Sequence, residues 1–177
     1  MPRRLLSPPE IAEARLVFGD GLDYSRTYVV ENTPFPNWIA TIGGSPRPNA
    51  VTLGNVSYFP ETLQTSAEDL ALGNLGAICW LMHELTHQWQ FQRMGWLYLL
   101  RALNVQLRQG RQAYAYVGKH PSPEAALKAA RAANRRLTDF NMEQQGDLAR
   151  DYYLTLKQGR DASAWEPFVA EFRKPGG

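Results

Sequence analysis

Two histidines and a glutamate that are close together in the sequence have the residue types and the spacing to bind and use a metal ion. They lie in the run His83-Glu84-Leu85-Thr86-His87. On a helix, side chains four residues apart point to the same face. Two imidazoles one turn apart can bind a single Zn²⁺, and a glutamate beside them can take a proton from water at that ion. The spacing therefore predicts zinc ligands at His83 and His87 and a general base at Glu84.

A catalytic zinc site of this kind needs a third protein ligand and an open fourth position for water. The extended motif with a glycine and a third histidine downstream is excluded, because those positions hold Gln90 and Arg93. Two candidates remain open. One is Glu143, with Asp147 four residues later on the same face to accept the free N–H of a ligating histidine. The other is His120, in a proline-rich loop, which could instead donate a hydrogen bond to an oxyanion near the metal.

Gly146 lies between Glu143 and Asp147 in a segment whose pattern predicts a helix. Glycine inside a helix costs about 1 kcal/mol relative to alanine. That cost has a reason if the missing side chain lets this helix lie close against the helix of His83. The alternative is that Glu143 and Asp147 belong to an ordinary solvated helix face.

The helix that must carry the histidines is predicted over Leu75 to Met94. Its apolar residues recur at helical spacing and form a stripe beside the two histidines, namely Ile78, Met82, Leu85 and Trp89. Upstream, residues 65–69 resemble a helix N-cap followed by acids, but Gly73 and Gly76 place the firm start near Gly76. Gly95 is the expected stop. Cys79, one turn before His83, is expected to be a buried free thiol.

The N-terminal third predicts a short helix and a small sheet. Ser7-Pro8-Pro9-Glu10 is a capping box that opens a helix ending near Phe18, with Gly19 as the stop. Alternating and β-branched residues then predict three strands, at Tyr24 to Glu31, Trp38 to Ile42 and Ala50 to Phe59, the last kinked at Gly54-Asn55.

The segments after the helix at Leu75 to Met94 are predicted to be mostly helical. The expected elements are a helical segment at Trp96 to Arg108, a short extended piece at Tyr114 to Val117, and helices at Glu124 to Arg136, Asn141 to Lys157 and from a capping box at Ser163 to Arg173. Tyr114 and Tyr116 are candidates for polarising a substrate carbonyl, because a phenol near zinc can hydrogen-bond a developing oxyanion. Packing is an equally good explanation for both tyrosines.

Length and composition predict one folded domain over residues 1–177, of the α+β class and rich in helix. A hydrophobic fraction of 44% is high enough for a packed core. The single cysteine excludes an internal disulfide and fits a reducing compartment. Prolines end the apolar stretch at the N-terminus after two residues, and no apolar run approaches 18 residues, so we expect a soluble chain made in the cytoplasm with no membrane partner.

A basic stretch is the main feature that favours a different class of function. From Arg101 to Arg136 there are eight Lys and Arg residues against one acid, Glu124. Such an imbalance can bind nucleic acid. The charges are spread over thirty-six residues with no recognised nucleic-acid motif. A solvated basic face is therefore the preferred interpretation.

The chain resembles a known group of proteins in several places. HELTHQWQ together with NMEQQGD looks like thermolysin-type zincins, which pair HExxH with a downstream ExxxD. More narrowly, the chain is similar to small zinc metallopeptidases associated with Rhs and Vgr components of type VI secretion systems, and to the peptidase domain associated with extracellular contractile injection systems. The matching pieces are Val17 to Tyr24, Leu53 to Pro60, the HELTHQWQ run, and Glu143 to Tyr153.

This resemblance implies a zincin-like (mini-gluzincin) domain with a small N-terminal sheet packed on the HExxH helix. It implies a Zn²⁺-dependent peptidase with Glu143 as the third ligand and Asp147 behind a histidine. An edge strand of the sheet would pair with an extended peptide substrate, although the sheet could equally serve only to cover the helix. Rhs or Vgr components are the implied partners, and a type VI or contractile injection system is the implied route of export. The alternative is an accessory protein of the secretion apparatus in which zinc is structural.

Overall fold

The computed structural model describes residues 2–34, 50–95 and 116–176. In chain order the elements are β1 (Arg4–Leu5), α1 (Pro8–Phe18), β2 (Tyr28–Val30), β3 (Val51–Leu53), β4 (Val56–Tyr58), α2 (Ala67–Ala71), α3 (Gly76–Met94), α4 (Pro123–Ala132), α5 (Met142–Lys157) and α6 (Glu166–Phe172). Short 3-10 turns lie at Tyr24–Arg26 and Leu137–Asp139. The described chain is thus α+β, with more helix than strand.

The four strands form one mixed sheet in the order β1-β2-β4-β3. β2 and β4 are parallel, and the other two pairs are antiparallel. The prediction of one kinked strand from Ala50 to Phe59 is wrong, because β3 and β4 form a hairpin whose two loop residues are Gly54 and Asn55. Gly54 has φ +63°, and a glycine with positive φ at the first loop position suits a two-residue hairpin turn.

The first predicted strand, at Tyr24 to Glu31, is shorter than expected. Residues Tyr24–Arg26 form a 3-10 turn, and only Tyr28–Val30 is strand. The local reason is Asp23, whose carboxylate accepts hydrogen bonds from the backbone N–H of Ser25 and the side chain of Arg26, and such contacts compete with strand pairing. The strand predicted at Trp38 to Ile42 lies outside the described residues.

The helix that carries His83 and His87 forms where the sequence predicts it. α3 begins at Gly76 and ends before Gly95, which has φ +60°. Ser66 and Asp69 form a capping box, but it starts the separate short helix α2. Every residue of the predicted apolar stripe is buried, and so is Cys79. Hydrophobic burial therefore fixes which side of α3 faces the core, and the histidines follow from that orientation.

The C-terminal helix α6 packs against α3 through aromatic rings. The Trp89 indole N–H donates to the carbonyl of Phe172 at 3.0 Å, and the two rings meet edge to face with centroids 4.9 Å apart. The predicted capping box at Ser163 is wrong: the helix begins at Glu166, and its N-cap, Trp165, makes no side-chain capping bond. The backbone N–H of Ser163 donates instead to Asp161.

Other helix boundaries follow local signals. α1 has the predicted capping box and ends at Phe18. α4 ends at Ala132, four residues before the predicted end, and Asn134 has φ +56°, which terminates the helical path. The predicted helical segment at Trp96 to Arg108 lies outside the described residues.

α5 lies unusually close to α3. Asn141 caps α5 by accepting from the backbone N–H of Gln144. At Gly146, a β-carbon would lie 2.7–2.9 Å from three ring atoms of His83. The prediction that a missing side chain allows this approach is confirmed.

The sheet packs on a second face of α3, next to the face that meets α5. Gln88 donates to the carbonyl of Tyr28 at 3.0 Å and to the hydroxyl of Ser57 at 2.7 Å, so one buried amide joins α3 to β2 and β4. α3 is thereby held between the sheet and α5. No helix among the described residues is both long and apolar enough to cross a lipid bilayer.

We expect Gly146→Ala to lower the free energy of unfolding. The added methyl group would overlap the His83 ring, and overpacking typically costs about 1–3 kcal/mol, which outweighs the gain of about 1 kcal/mol in helix propensity. The matched control is Gly76→Ala in α3, where the β-carbon meets nothing within 4 Å; it should be neutral or stabilising. Chemical denaturation of the two variants checks the prediction. Equal stability of Gly146→Ala and the parent would contradict it.

Candidate metal centre

Three side chains from two helices converge on one point. His83 and His87 project from α3, and Glu143 projects from the first turn of α5. The two Nε2 atoms lie 3.2 Å apart, and Glu143 Oε2 lies 3.3 Å from that of His83 and 3.7 Å from that of His87. Of the two third ligands left open by the sequence, the structure brings Glu143 to the histidines.

These distances suit a tetrahedral zinc ion. Ligand atoms that are 2.0–2.2 Å from a tetrahedral zinc lie roughly 3.3–3.6 Å apart. Two imidazole nitrogens and one carboxylate oxygen are also the donor set of a common class of catalytic zinc site. The residues present therefore fit the ion, and their role as ligands stays a prediction.

The electrostatics of the cluster favour positive charge at its centre. Burial alone would lower the pKa of His83, but hydrogen bonds to Asp147 and Glu143 outweigh it and raise that pKa to about 10. Burial would raise the pKa of Glu143, but the charge of His87 and the hydrogen bond to His83 hold it well below its usual range. A site that stabilises extra protons on its imidazoles is also one in which a divalent cation is stabilised.

The cluster is mostly buried but not closed to solvent. The side chain of His87 is 6% exposed, whereas those of His83 and Glu143 are 12% and 16% exposed. A catalytic metal needs access for water and substrate, and a closed structural site does not. The partial exposure is compatible with the first.

Each histidine has a different partner for its second ring nitrogen. Nδ1 of His83 lies 3.2 Å from Asp147 Oδ1, the position predicted for Asp147. Nδ1 of His87 lies 2.9 Å from the side-chain oxygen of Gln90. Both contacts direct the Nε2 atoms towards Glu143, and such partners normally set the orientation of ligating imidazoles.

Asp147 belongs to a line of charges that runs away from the cluster. Arg150 lies 2.5 Å from Asp147 and also contacts Asp151, which accepts a hydrogen bond from the Tyr116 hydroxyl at 2.8 Å. The Arg150 guanidinium therefore gives the nearly buried carboxylate behind His83 an ion-pair partner.

The remaining predicted site residues are not part of this cluster. Tyr116 is buried with its hydroxyl bonded to Asp151, so a role at a substrate carbonyl would require that bond to break. His120 is exposed and lies in a turn, where its backbone N–H donates to the carbonyl of Val117. It is not one of the three donors that converge among the described residues. Its predicted oxyanion role stays a prediction, and Tyr114 lies outside the described residues.

Glu84 faces the sheet side of α3 and is nearly buried. The hydroxyl of Thr52, in β3, donates to Glu84 Oε2 at 2.7 Å. Thr52 also contacts the hydroxyl of Ser57 at 2.7 Å, which in turn accepts from Gln88. The carboxylate that sequence reasoning assigns to proton transfer is thus held by the hairpin.

Sequence reasoning did not identify Thr52 or Gln90 as site residues. Gln90 had a local signal, since a polar residue three positions after a histidine on a helix can reach it. Thr52 had none, because its contact with Glu84 depends on how the hairpin docks on α3.

The chain resembles a protein of a type VI secretion system in sequence. It is 35% identical over 169 residues to the type VI secretion system spike protein VgrG2b of Pseudomonas aeruginosa, an alignment that covers 94% of this chain. The chain spans 14% of the length of that spike protein. No family model matches the sequence.

The fold resembles a solved part of the same protein. The structure of the effector domain of Pseudomonas aeruginosa VgrG2b matches with a TM-score of 0.64 and 31% sequence identity, covering 97% of this chain and 84% of that one. Identity at this level over most of both chains is evidence of common descent as well as of a shared fold. The chain belongs to the family of the VgrG2b effector domain.

Proposed function

We propose that this domain is a zinc-dependent peptidase that acts as an effector associated with a type VI secretion system. The observation that carries the chemistry is the convergence of His83, His87 and Glu143 within zinc-binding distance of one another, with Glu84 next to them in α3. Similarity in sequence and fold to the VgrG2b effector domain supports the association with type VI secretion. A zincin-like fold is part of this proposal.

The three converging residues would hold the ion, and Asp147 would support His83 from behind. When bound, Zn²⁺ supplies Lewis acidity: it polarises a carbonyl and lowers the pKa of water to about 7. Glu84 takes a proton from the attacking water and delivers it to the leaving amine nitrogen, so that one carboxyl group serves as base and then as acid.

The sheet gives the substrate a place to lie. Within the described residues β3 is at the edge of the sheet, and its Thr52 contacts Glu84 directly. An extended peptide that pairs with β3 would run past the general base, as strand addition requires. The proposed substrate is therefore a polypeptide in extended conformation.

We expect the purified parent chain to contain one zinc ion per molecule and His87→Ala to lose it, because the variant removes one of the three donors. His120→Ala is the matched control: its imidazole is exposed and outside the cluster, so its zinc content should equal that of the parent. Elemental analysis of the purified proteins checks both. Full zinc content in His87→Ala would contradict the assignment of the ligands.

Glu84→Gln should keep the zinc ion and lose peptide hydrolysis. The amide cannot accept the proton, and general acid–base catalysis typically contributes 10²–10⁴-fold, as an order-of-magnitude range. Digestion of a peptide library by the two proteins, followed by mass spectrometry, measures the difference. The exposed Glu61→Gln is the control. Cleavage by Glu84→Gln at the parent rate would refute the mechanism; zinc without cleavage in the parent would favour a structural site in an accessory protein.

Thr52→Val should lower kcat with KM and zinc content unchanged. Valine keeps the shape and the strand propensity of threonine but cannot donate to Glu84. A hydrogen bond to a charged group contributes about 1.5–3 kcal/mol, so a fall in kcat of about 10- to 100-fold is expected. Thr52→Ser, which restores the hydroxyl, should recover most of the rate. Steady-state kinetics on a cleaved library peptide tests this; an unchanged kcat would show that Thr52 does not position Glu84.

A further inference from the structure

We infer that Gln90 is the positioning residue that fixes the tautomer and the orientation of His87, and that it therefore sets the affinity of the site for zinc. The inference rests on the proposed zinc site. It goes beyond the three ligands, because Gln90 touches no atom of the metal position and acts only through His87.

The orientation of the Gln90 amide follows from its neighbours. Its side-chain NH₂ donates to the carbonyl of Met142 at 3.0 Å and to the side-chain oxygen of Gln145 at 2.9 Å. A backbone carbonyl can only accept. The nitrogen of the Gln90 amide must therefore face Met142, and its oxygen must face His87.

The orientation of the Gln145 amide, one residue further from the site, is fixed in the same way. Its NH₂ donates to the carbonyls of Leu137 and Phe140, at 3.2 and 2.9 Å. These two carbonyls fix the orientation of the Gln145 amide, so its oxygen faces Gln90 and accepts the hydrogen bond from the Gln90 NH₂. The direction of every hydrogen bond in this chain of two amides is set by three backbone carbonyls at its end, namely those of Leu137, Phe140 and Met142.

The consequence for His87 is a single tautomer. Because the Gln90 oxygen can only accept, Nδ1 of His87 must carry the hydrogen of the 2.9 Å contact. In the neutral imidazole the lone pair is then on Nε2, the atom that faces His83 and Glu143. The opposite tautomer would place two lone pairs against each other.

Burial makes this control strict. Gln90 is fully buried and Gln145 is 6% exposed, so water cannot take the place of the amide oxygen. A buried N–H donor of His87 without an acceptor would be destabilising, and this holds the imidazole in its present orientation.

The same amide also joins the two halves of the donor set. Met142, which accepts from Gln90, directly precedes Glu143 in α5. A single side chain of α3 therefore contacts one ligand and the backbone next to another. The two roles of the Gln90 side chain can be tested separately. Its contact to His87 needs an acceptor, whereas its contacts to Met142 and Gln145 in α5 need donors.

The test compares Gln90→Met, Gln90→Glu and the parent by zinc affinity, measured by chelator competition at one fixed pH. Gln90→Met removes acceptor and donors, and loss of such outer partners typically weakens metal binding about 10–100-fold. Gln90→Glu keeps an acceptor for His87 and should bind zinc within a few-fold of the parent. Its unfolding midpoint in EDTA should nevertheless fall, because its carboxylate cannot donate to Met142 or Gln145.

Gln92→Met is the matched control. Gln92 is on the same helix, but its amide contacts Asp23 and Asn55 and not the histidines, so its zinc affinity should equal that of the parent.

Two outcomes would overturn the inference while leaving the zinc site intact: parent-like affinity in Gln90→Met, or the same loss in Gln90→Glu as in Gln90→Met. A parent chain that binds no zinc would overturn the site itself and this inference with it.

Discussion

The close approach of α5 to α3 is the constraint on which the rest of the site depends. It is possible because Gly146 leaves room for the His83 ring, which occupies the space of an absent β-carbon. With α5 any further away, Glu143 could not lie 3.3 Å from His83. Two segments that are sixty residues apart in the sequence thereby contribute to one donor set. This geometry requires a glycine inside α5, and that glycine lowers the stability of the helix relative to alanine.

The surroundings of the cluster divide into two kinds of support. On one side carboxylates and a guanidinium back His83, and on the other uncharged amides back His87. Both arrangements leave Nε2 of each imidazole facing Glu143. The sheet adds a third support, since the hairpin holds Glu84 through Thr52. Contacts thus hold each side chain of α3 to which the proposed mechanism gives a role, as a preorganised site requires.

Local signals explain how much of the structure was predictable. The capping box at Ser7, the stops at Gly19 and Gly95, and the apolar stripe of α3 all act within one or two turns of the chain, and all are confirmed. The N-cap signal at residues 65–69 starts the separate helix α2 and not α3. The three clustered donors were predictable in part. Motif spacing predicts His83 and His87, whereas the residues alone leave both Glu143 and His120 open as the third donor, and the resemblance to zincins favours Glu143. Their function as ligands, and the enzyme activity, are still proposals.

The errors arise where two local patterns compete or where contacts are distant. The pattern at Gly54-Asn55 predicts a kink within one strand, but two residues of this type equally form the loop of a hairpin. Only the pairing of β3 with β4 distinguishes the kink from the hairpin. The pattern at Ser163 resembles a capping box, yet the chain places Trp165 in the core and starts the helix after it. Thr52 meets Glu84 across thirty-two positions, and no periodicity in the sequence encodes such a contact.

The contact between Trp89 and Phe172 makes the stability of α3 depend on that of α6. The indole belongs to the helix that carries both histidines, and its ring and its N–H are satisfied by the last turn of the final helix. Frayed residues at that end would therefore leave a large aromatic surface and a buried donor without partners. Because α3 and α6 cover each other's buried groups, detachment of α6 alone is penalised, which favours joint unfolding of the two helices.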